Sequence, residues 1–223
     1  MCSYMDHNVG RVLTALNEAG LEKDTLVIYG SDHGESLGNR GLWGKSVLYD
    51  DSAAIPMIMA GPGVEKGARC WTPVSLVDIY PTVVNAVGGT LTKVEKDLPG
   101  DDLQKLAKID ASDRAVFSEY HAAGSTSGGF MLRKGDWKLI LYAGHPPMLF
   151  NVKNDPRETK DWAGRLETQR IQADLDAELR RIVNPETANA LAFSDQTRRI
   201  EELGGDDAIR AKEEIGFTPA PKC

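Results

Sequence analysis

Two short, unbroken apolar runs constrain this chain most, each cut off by glycine. They are Thr25-Leu26-Val27-Ile28-Tyr29 ahead of Gly30, and Ile55-Pro56-Met57-Ile58-Met59-Ala60 ahead of Gly61. A run that is apolar at successive positions leaves no face for water, so it suits a parallel strand covered on both sides. Helix signals flank the runs. Met5, Val9, Val12, Leu13 and Leu16 recur at steps of three and four, and Gly20-Leu21 then supplies a glycine C-cap with a hydrophobic contact behind it. Residues 75–88, "SLVDIYPTVVNAVG", form a second helical pattern closed by Gly88. Helix alternating with parallel strand predicts an open, doubly wound α/β sheet. Two strands cannot complete such a sheet, because strands buried on both faces need lateral neighbours for their backbone groups and more helices above and below. Residues 1–113 are therefore expected to be one portion of a larger α/β domain.

Residues 90–113 are polar and loop-like, and the pattern then changes. Ala115-Val116-Phe117-Ser118-Glu119-Tyr120, Gly129-Phe130-Met131-Leu132-Arg133, Trp137-Lys138-Leu139-Ile140-Leu141-Tyr142 and Met148-Leu149-Phe150-Asn151-Val152 are strand-like. Their turns are too short for crossovers, which predicts an antiparallel β-meander within residues 114–183. From Asp155-Pro156 the chain is helical and charged, and Leu166, Ile171, Leu175, Leu179 and Ile182 make an apolar stripe expected to pack on the meander. Residues 184–223 carry few large apolar side chains and are expected to form surface helices or an interaction arm, through which copies of the chain could associate.

Composition excludes several classes. Among 223 residues the formal net charge is −7, which disfavours binding to nucleic acid. No run of about 18 apolar residues occurs, so no membrane span is expected. The first twenty residues lack the basic-then-apolar layout of a secretory signal. Cys2, Cys70 and Cys223 fit neither a metal spacing nor a disulfide framework, which suggests reduced thiols and a cytoplasmic location.

The chemistry is expected in the loop after the first strand, "GSDHGESLGNRGLWGK", residues 30–45. Ligands of open α/β sheets gather at the carboxyl ends of strands. Asp32 and His33 stand there, and Gly30 and Gly34 allow the backbone to turn so that both side chains reach one ion. A carboxylate oxygen beside an imidazole nitrogen suits a divalent cation, and the oxygen favours Ca²⁺, Mg²⁺ or Mn²⁺. Two ligands alone hold a metal poorly, and a hydrogen-bonded loop pair accounts for the same dipeptide.

The stretch "DTLVIYGSDHGESLGNRGLWGKSVLYDDSAAIPMIMAGPG", then "SLVDIYPTVVNAVGG", then "MLRKGDWKLI" and "MLFNVKNDPRET" together resemble the C-terminal half of the type I sulfatases of the alkaline phosphatase superfamily. Choline-sulfatase-like members and the related phosphonate monoester hydrolases are nearest. The resemblance covers residues 1–183 and implies an alkaline-phosphatase-like α/β fold with a small antiparallel sheet and helix. It implies that Asp32 and His33 are ligands of a divalent metal, Ca²⁺ above Mn²⁺ or Mg²⁺, and that catalytic Lys45 holds an oxygen of the sulfate ester. His121, in "SEYHAAGSTSGG", is a candidate contact to the alcohol part of the substrate. Trp43 is a candidate for holding a quaternary ammonium or for packing. Asn154-Asp155-Pro156-Arg157-Glu158 matches the lead into the family's C-terminal helix.

Two departures stand out. Relatives commonly read Ala-Arg-Val-Pro where this chain has Ala53-Ala54-Ile55-Pro56. Sulfatases of this type also use a formylglycine made within Cys-x-Pro-x-Arg or Ser-x-Pro-x-Arg, which does not occur here; Cys70-Trp71-Thr72-Pro73 has its proline one place late. The nucleophile and the remaining ligands are then expected on an N-terminal half, in the same enzyme or a second chain. The functional expectation is a sulfuric ester hydrolase portion that is inactive alone. A phosphonate or phosphodiester hydrolase, or an inactive split-chain partner, are the alternatives.

Overall fold

The computed structural model describes residues 2–109, 111–122 and 125–211; Cys223 lies outside them. Helix α1 (Cys2–Glu18) ends as expected, with Gly20 at φ +73°. The Gly20 N–H donates to the Asn17 carbonyl at 2.8 Å and the Leu21 N–H to the Leu16 carbonyl at 3.2 Å. Strand β1 (Val27–Gly30) follows, then the hairpin β2 (Ser36–Leu37) and β3 (Trp43–Gly44), the single turn α2 (Asp50–Ala53), and strand β4 (Met57–Ala60).

The two apolar strands pair with each other, and the sense corrects the expectation. β1 and β4 run antiparallel, with Val27 opposite Ala60 and Gly30 opposite Met57. A parallel pair needs a crossover element lying across the sheet. Residues 31–56 hold only the small hairpin and α2, so the chain returns beside β1 in the reverse direction. Helix α3 (Ile79–Ala86) is led by a 3₁₀ turn (Leu76–Asp78), and Gly88 follows it at φ +72°.

The stretch read as loop contains a further helix, α4 (Leu103–Leu106), whose Leu103 and Leu106 are buried. Its local cause is the Asp102 cap, which accepts from the Gln104 N–H at 2.8 Å, while Thr82 Oγ1 accepts from the Leu103 N–H at 2.8 Å. Behind α3 the fully buried Asp78 takes both arms of Arg114, at 2.7 and 3.0 Å, and the backbone N–H groups of Ser75 and Asp101. A buried carboxylate needs that many donors to offset its lost hydration.

The meander forms as expected: β5 (Val116–Tyr120), β6 (Gly129–Lys134), β7 (Trp137–Tyr142) and β8 (Met148–Asn151) make one antiparallel sheet in sequence order. Its two faces bury different clusters. Phe130, Leu132, Leu139, Leu141 and Leu149 meet Leu175 and Leu179 of α5 (Gln169–Ile182). On the other face Met131, Ile140 and Phe150 meet Leu48, with Tyr49 and Ala53 packed beside them. The expected stripe on α5 is shorter than read from the sequence. Leu166 sits in a 3₁₀ turn before the helix and is 89% exposed, and Ile182 at the far end is exposed. Helices α6 (Pro185–Glu202) and α7 (Asp206–Ala211) follow. No described helix is long and apolar enough to cross a membrane.

Candidate functional site

The loop after β1 is shaped by glycine and by its own hydrogen bonds. Gly34 must be glycine because a Cβ there would come within 2.2 Å of the Asp51 carbonyl oxygen. Its N–H donates to the Ser52 carbonyl at 2.8 Å, so the loop lies flat on α2. Asp32 Oδ1 accepts the His33 backbone N–H at 3.0 Å, and the Ser31 hydroxyl donates to the His33 carbonyl at 2.7 Å. These bonds turn the chain so that two consecutive side chains share one side.

Asp32, His33 and Lys45 come together. His33 Nε2 stands 3.3 Å from Asp32 Oδ2 and 2.5 Å from Lys45 Nζ. His33 Nδ1 lies 2.8 Å from the Gly34 carbonyl oxygen. That oxygen only accepts, so Nδ1 carries the proton and Nε2 presents its lone pair. The Lys45 ammonium meets that lone pair beside the Asp32 carboxylate. Asp32 is open to water, with its side chain 83% exposed. What little burial it has acts to raise its pKa. The His33 backbone N–H and the nearby Lys45 charge outweigh that and hold the carboxyl below its ordinary range. The donor set, one carboxylate oxygen and one imidazole nitrogen with a fixed tautomer, fits a divalent metal. Among the described residues no group of three or more His, Cys, Asp or Glu could hold an ion.

His121 is not brought into that cluster directly. Its Nε2 is 3.4 Å from Glu119 Oε2, its ring meets Phe130 edge-on with centroids 5.2 Å apart, and Gln196 of α6 donates to its carbonyl at 2.8 Å. The connection runs through the neighbours: the Tyr120 and Ser46 hydroxyls are 2.9 Å apart, one residue from His121 and from Lys45 respectively. Trp43 is 76% exposed, against the backbone of Gly38.

A second cluster escaped the sequence reading. Lys138, on β7, is completely buried, and its ammonium sits 2.6 Å from Asp50 Oδ1 and 2.8 Å from Glu158 Oε1. The contact to Glu158 is an ion pair lying off the line of a hydrogen bond. Glu158 Oε2 accepts the Asp50 backbone N–H at 2.7 Å. Arg40 binds Asp51 through Nη1, donates to the Arg157 carbonyl, and stacks over Tyr49 at 4.2 Å. The available signal was the lone lysine inside the apolar run "WKLILY". The Asn154–Glu158 motif also has a different job from the one expected. Asp155 accepts from the Thr159 and Lys160 N–H groups at 2.7 and 2.8 Å, and this turn delivers Glu158 to Lys138. Helix α5 begins only at Gln169.

Residues 1–89 match the Sulfatase family. The chain is 35% identical over 193 residues to arylsulfatase K of Danio rerio, covering 82% of this chain and 36% of that protein. It is 34% identical over 175 residues to choline-sulfatase of Rhizobium meliloti (strain 1021), covering 78% and 34%. A phosphonate monoester hydrolase from Silicibacter pomeroyi superposes with a TM-score of 0.67 at 28% identity, over 82% of this chain and 39% of that one. Solved sulfatases share the fold too, which is the alkaline-phosphatase-like one. The chain thus spans about a third of the length of the curated relatives it matches.

Proposed function

We propose, from the match of residues 1–89 to the Sulfatase family and the likeness to arylsulfatase K and choline-sulfatase, that the chain supplies one side of a sulfuric ester hydrolase site: Asp32 and His33 as ligands of a divalent metal, Ca²⁺ first, and Lys45 as the group that holds a sulfate oxygen. The observation that carries this is the convergence of Lys45 Nζ and Asp32 Oδ2 on His33 Nε2 at the carboxyl end of β1.

A bound divalent metal supplies Lewis-acid polarisation of the ester's oxygens. The chain's own residues do the rest of what is assigned here. The Nδ1–H to Gly34 bond aims the His33 lone pair, and Asp32 brings a formal negative charge to the same place. Lys45, once freed from His33, is a compact positive charge for the oxygens that gain negative charge in the transition state. His121 is assigned to the alcohol side, supported by the tie between its neighbour Tyr120 and Ser46.

The nucleophile and the other ligands are assigned to an N-terminal half of the same enzyme or a second chain. Support comes from an open apolar groove of about 450 Å³ lined by Leu26, Ile28, Leu76, Ile79 and Val83 and ending at Asp32. A phosphonate monoester hydrolase is the second reading, favoured by the Silicibacter pomeroyi likeness. The test is hydrolysis of p-nitrophenyl sulfate and of a phenyl phosphonate monoester, by the 223-residue chain alone and with a polypeptide carrying the formylglycine segment. The first reading expects sulfate turnover only in the mixture; a preference for the phosphonate replaces it with the second, and turnover by the chain alone overturns both assignments of a missing half.

A further inference from the structure

We propose that Lys138 and Glu158 are positioning residues: from the meander they fix the shape of the loop bearing Asp32, His33 and Lys45, acting through the α2 turn. The role rests on the site assignment above, but the geometry that supports it does not.

The path is continuous. Lys138 cannot shift its backbone, since β7 is paired on both sides, to Arg133 and to Phe150. Its fully buried ammonium holds the Asp50 side chain at 2.6 Å, and Glu158 Oε2 holds the Asp50 backbone N–H at 2.7 Å. Two contacts from the meander therefore fix the first residue of α2 in both position and rotation. That turn meets the loop at two places. Ser52 accepts the Gly34 N–H at 2.8 Å, next to His33. Asp51 takes Asn39 Nδ2 at 2.8 Å and the Arg40 guanidinium, ahead of Lys45.

The backbone gives independent support. Arg40 at φ +54° and Glu158 at φ +51° are the two described non-glycine residues in the left-handed region, and both belong to this network. Such conformations are disfavoured for residues with a Cβ and persist where the surroundings over-determine them. A pair that merely joined two packed units would require neither strained residue nor the hold on the Asp50 N–H.

The test uses the full 223-residue chain without metal or substrate, so it stands apart from the hydrolysis assays. It reads amide exchange at Gly34, the His33 imidazole nitrogen shifts, and the thermal midpoint of the meander. Lys138→Met should lower the midpoint and speed Gly34 exchange by ~10-fold or more. Adding Glu158→Leu removes the remaining buried charge, so the midpoint should recover. Gly34 exchange should stay fast and the His33 Nδ1–H signature should weaken. Asp50→Asn, at a partly exposed position that leaves Lys138 paired with Glu158, should speed Gly34 exchange at an unchanged midpoint, and Lys138→Arg should retain slow exchange. Gly34 exchange that recovers together with the midpoint in the double variant, or that is unmoved by Asp50→Asn, overturns the proposal and leaves the cluster as packing alone.

Discussion

The meander and the α/β segment before it are both written in apolar runs, yet they reach opposite states. Every one of β6, β7 and β8 buries large side chains, and Phe130, Leu132, Leu139 and Leu149 are fully inaccessible. Helix α1 buries none of its residues, and Met5, Val12, Leu13, Ile58, Val77 and Val83 are exposed. The meander can close its core because α5 covers one face and residues 48–53 the other. The α/β segment has only the pair β1–β4 and the small hairpin β2–β3 among its described strands, and much of its apolar surface stays open to water. Apolar sequence becomes a core only when the chain supplies both walls.

Substitutions should separate the two regions sharply. Phe130→Ala, in the closed core, should cost about 3–5 kcal/mol, measured by denaturant unfolding of the meander. A loss under about 1 kcal/mol there would erase the contrast. Arg114→Met should come next, at about 3 kcal/mol, because it strands the fully buried Asp78 carboxylate. It marks a part of the α/β segment that is as deeply buried as the meander core. Leu13→Ala, at an exposed position on α1, should stay within about 0.5 kcal/mol in the chain alone. The same change should become costly once a partner covers the helix, and a large effect without partner would mean the face is already covered.

The smallest expected effect is in pH. The Thr92 hydroxyl foremost, then the Tyr80 hydroxyl and the Thr92 backbone N–H, hold the Glu95 carboxyl down to about 2. Its folded value lies below the ordinary one, so the contribution is complete above the ordinary carboxylate range, is lost as pH falls toward about 2, and is small because the group is exposed. Carboxyl ¹³C shifts should show Glu95 titrating below the ordinary glutamate range. Titration within that range would remove the 3₁₀ turn Glu95–Asp97 from the ordered parts of the segment.

How far these differences could be read from the sequence depended on where the information lay. The four meander strands were legible because each run is bounded by turn residues and every neighbour is close in sequence. The Gly20 cap was legible for the same reason. The direction of β4 was not, since an apolar run carries no sense of its own and only the lack of a crossover element decides it. Leu166 fitted the helical spacing but precedes the helix start, so period alone placed it wrongly. Asp32 and His33 could be found as a pair at a strand end. The cluster of Lys138, Asp50 and Glu158 could not, because the lone lysine in "WKLILY" says only that Lys138 needs a partner, and Asp50 and Glu158 lie 88 residues from Lys138 and 108 from Asp50 respectively along the chain.

The proposed role of Asp32 and His33 as one side of a divalent-metal site can be tested in solution. Titration with Mn²⁺, followed by paramagnetic broadening of backbone and imidazole resonances, tests it most directly on the 223-residue chain. Asp32, His33 and Lys45 should broaden first, His7 and His145 should remain sharp, and Asp32→Ala or His33→Ala should abolish the effect. Broadening centred elsewhere, or unchanged in those variants, would contradict it.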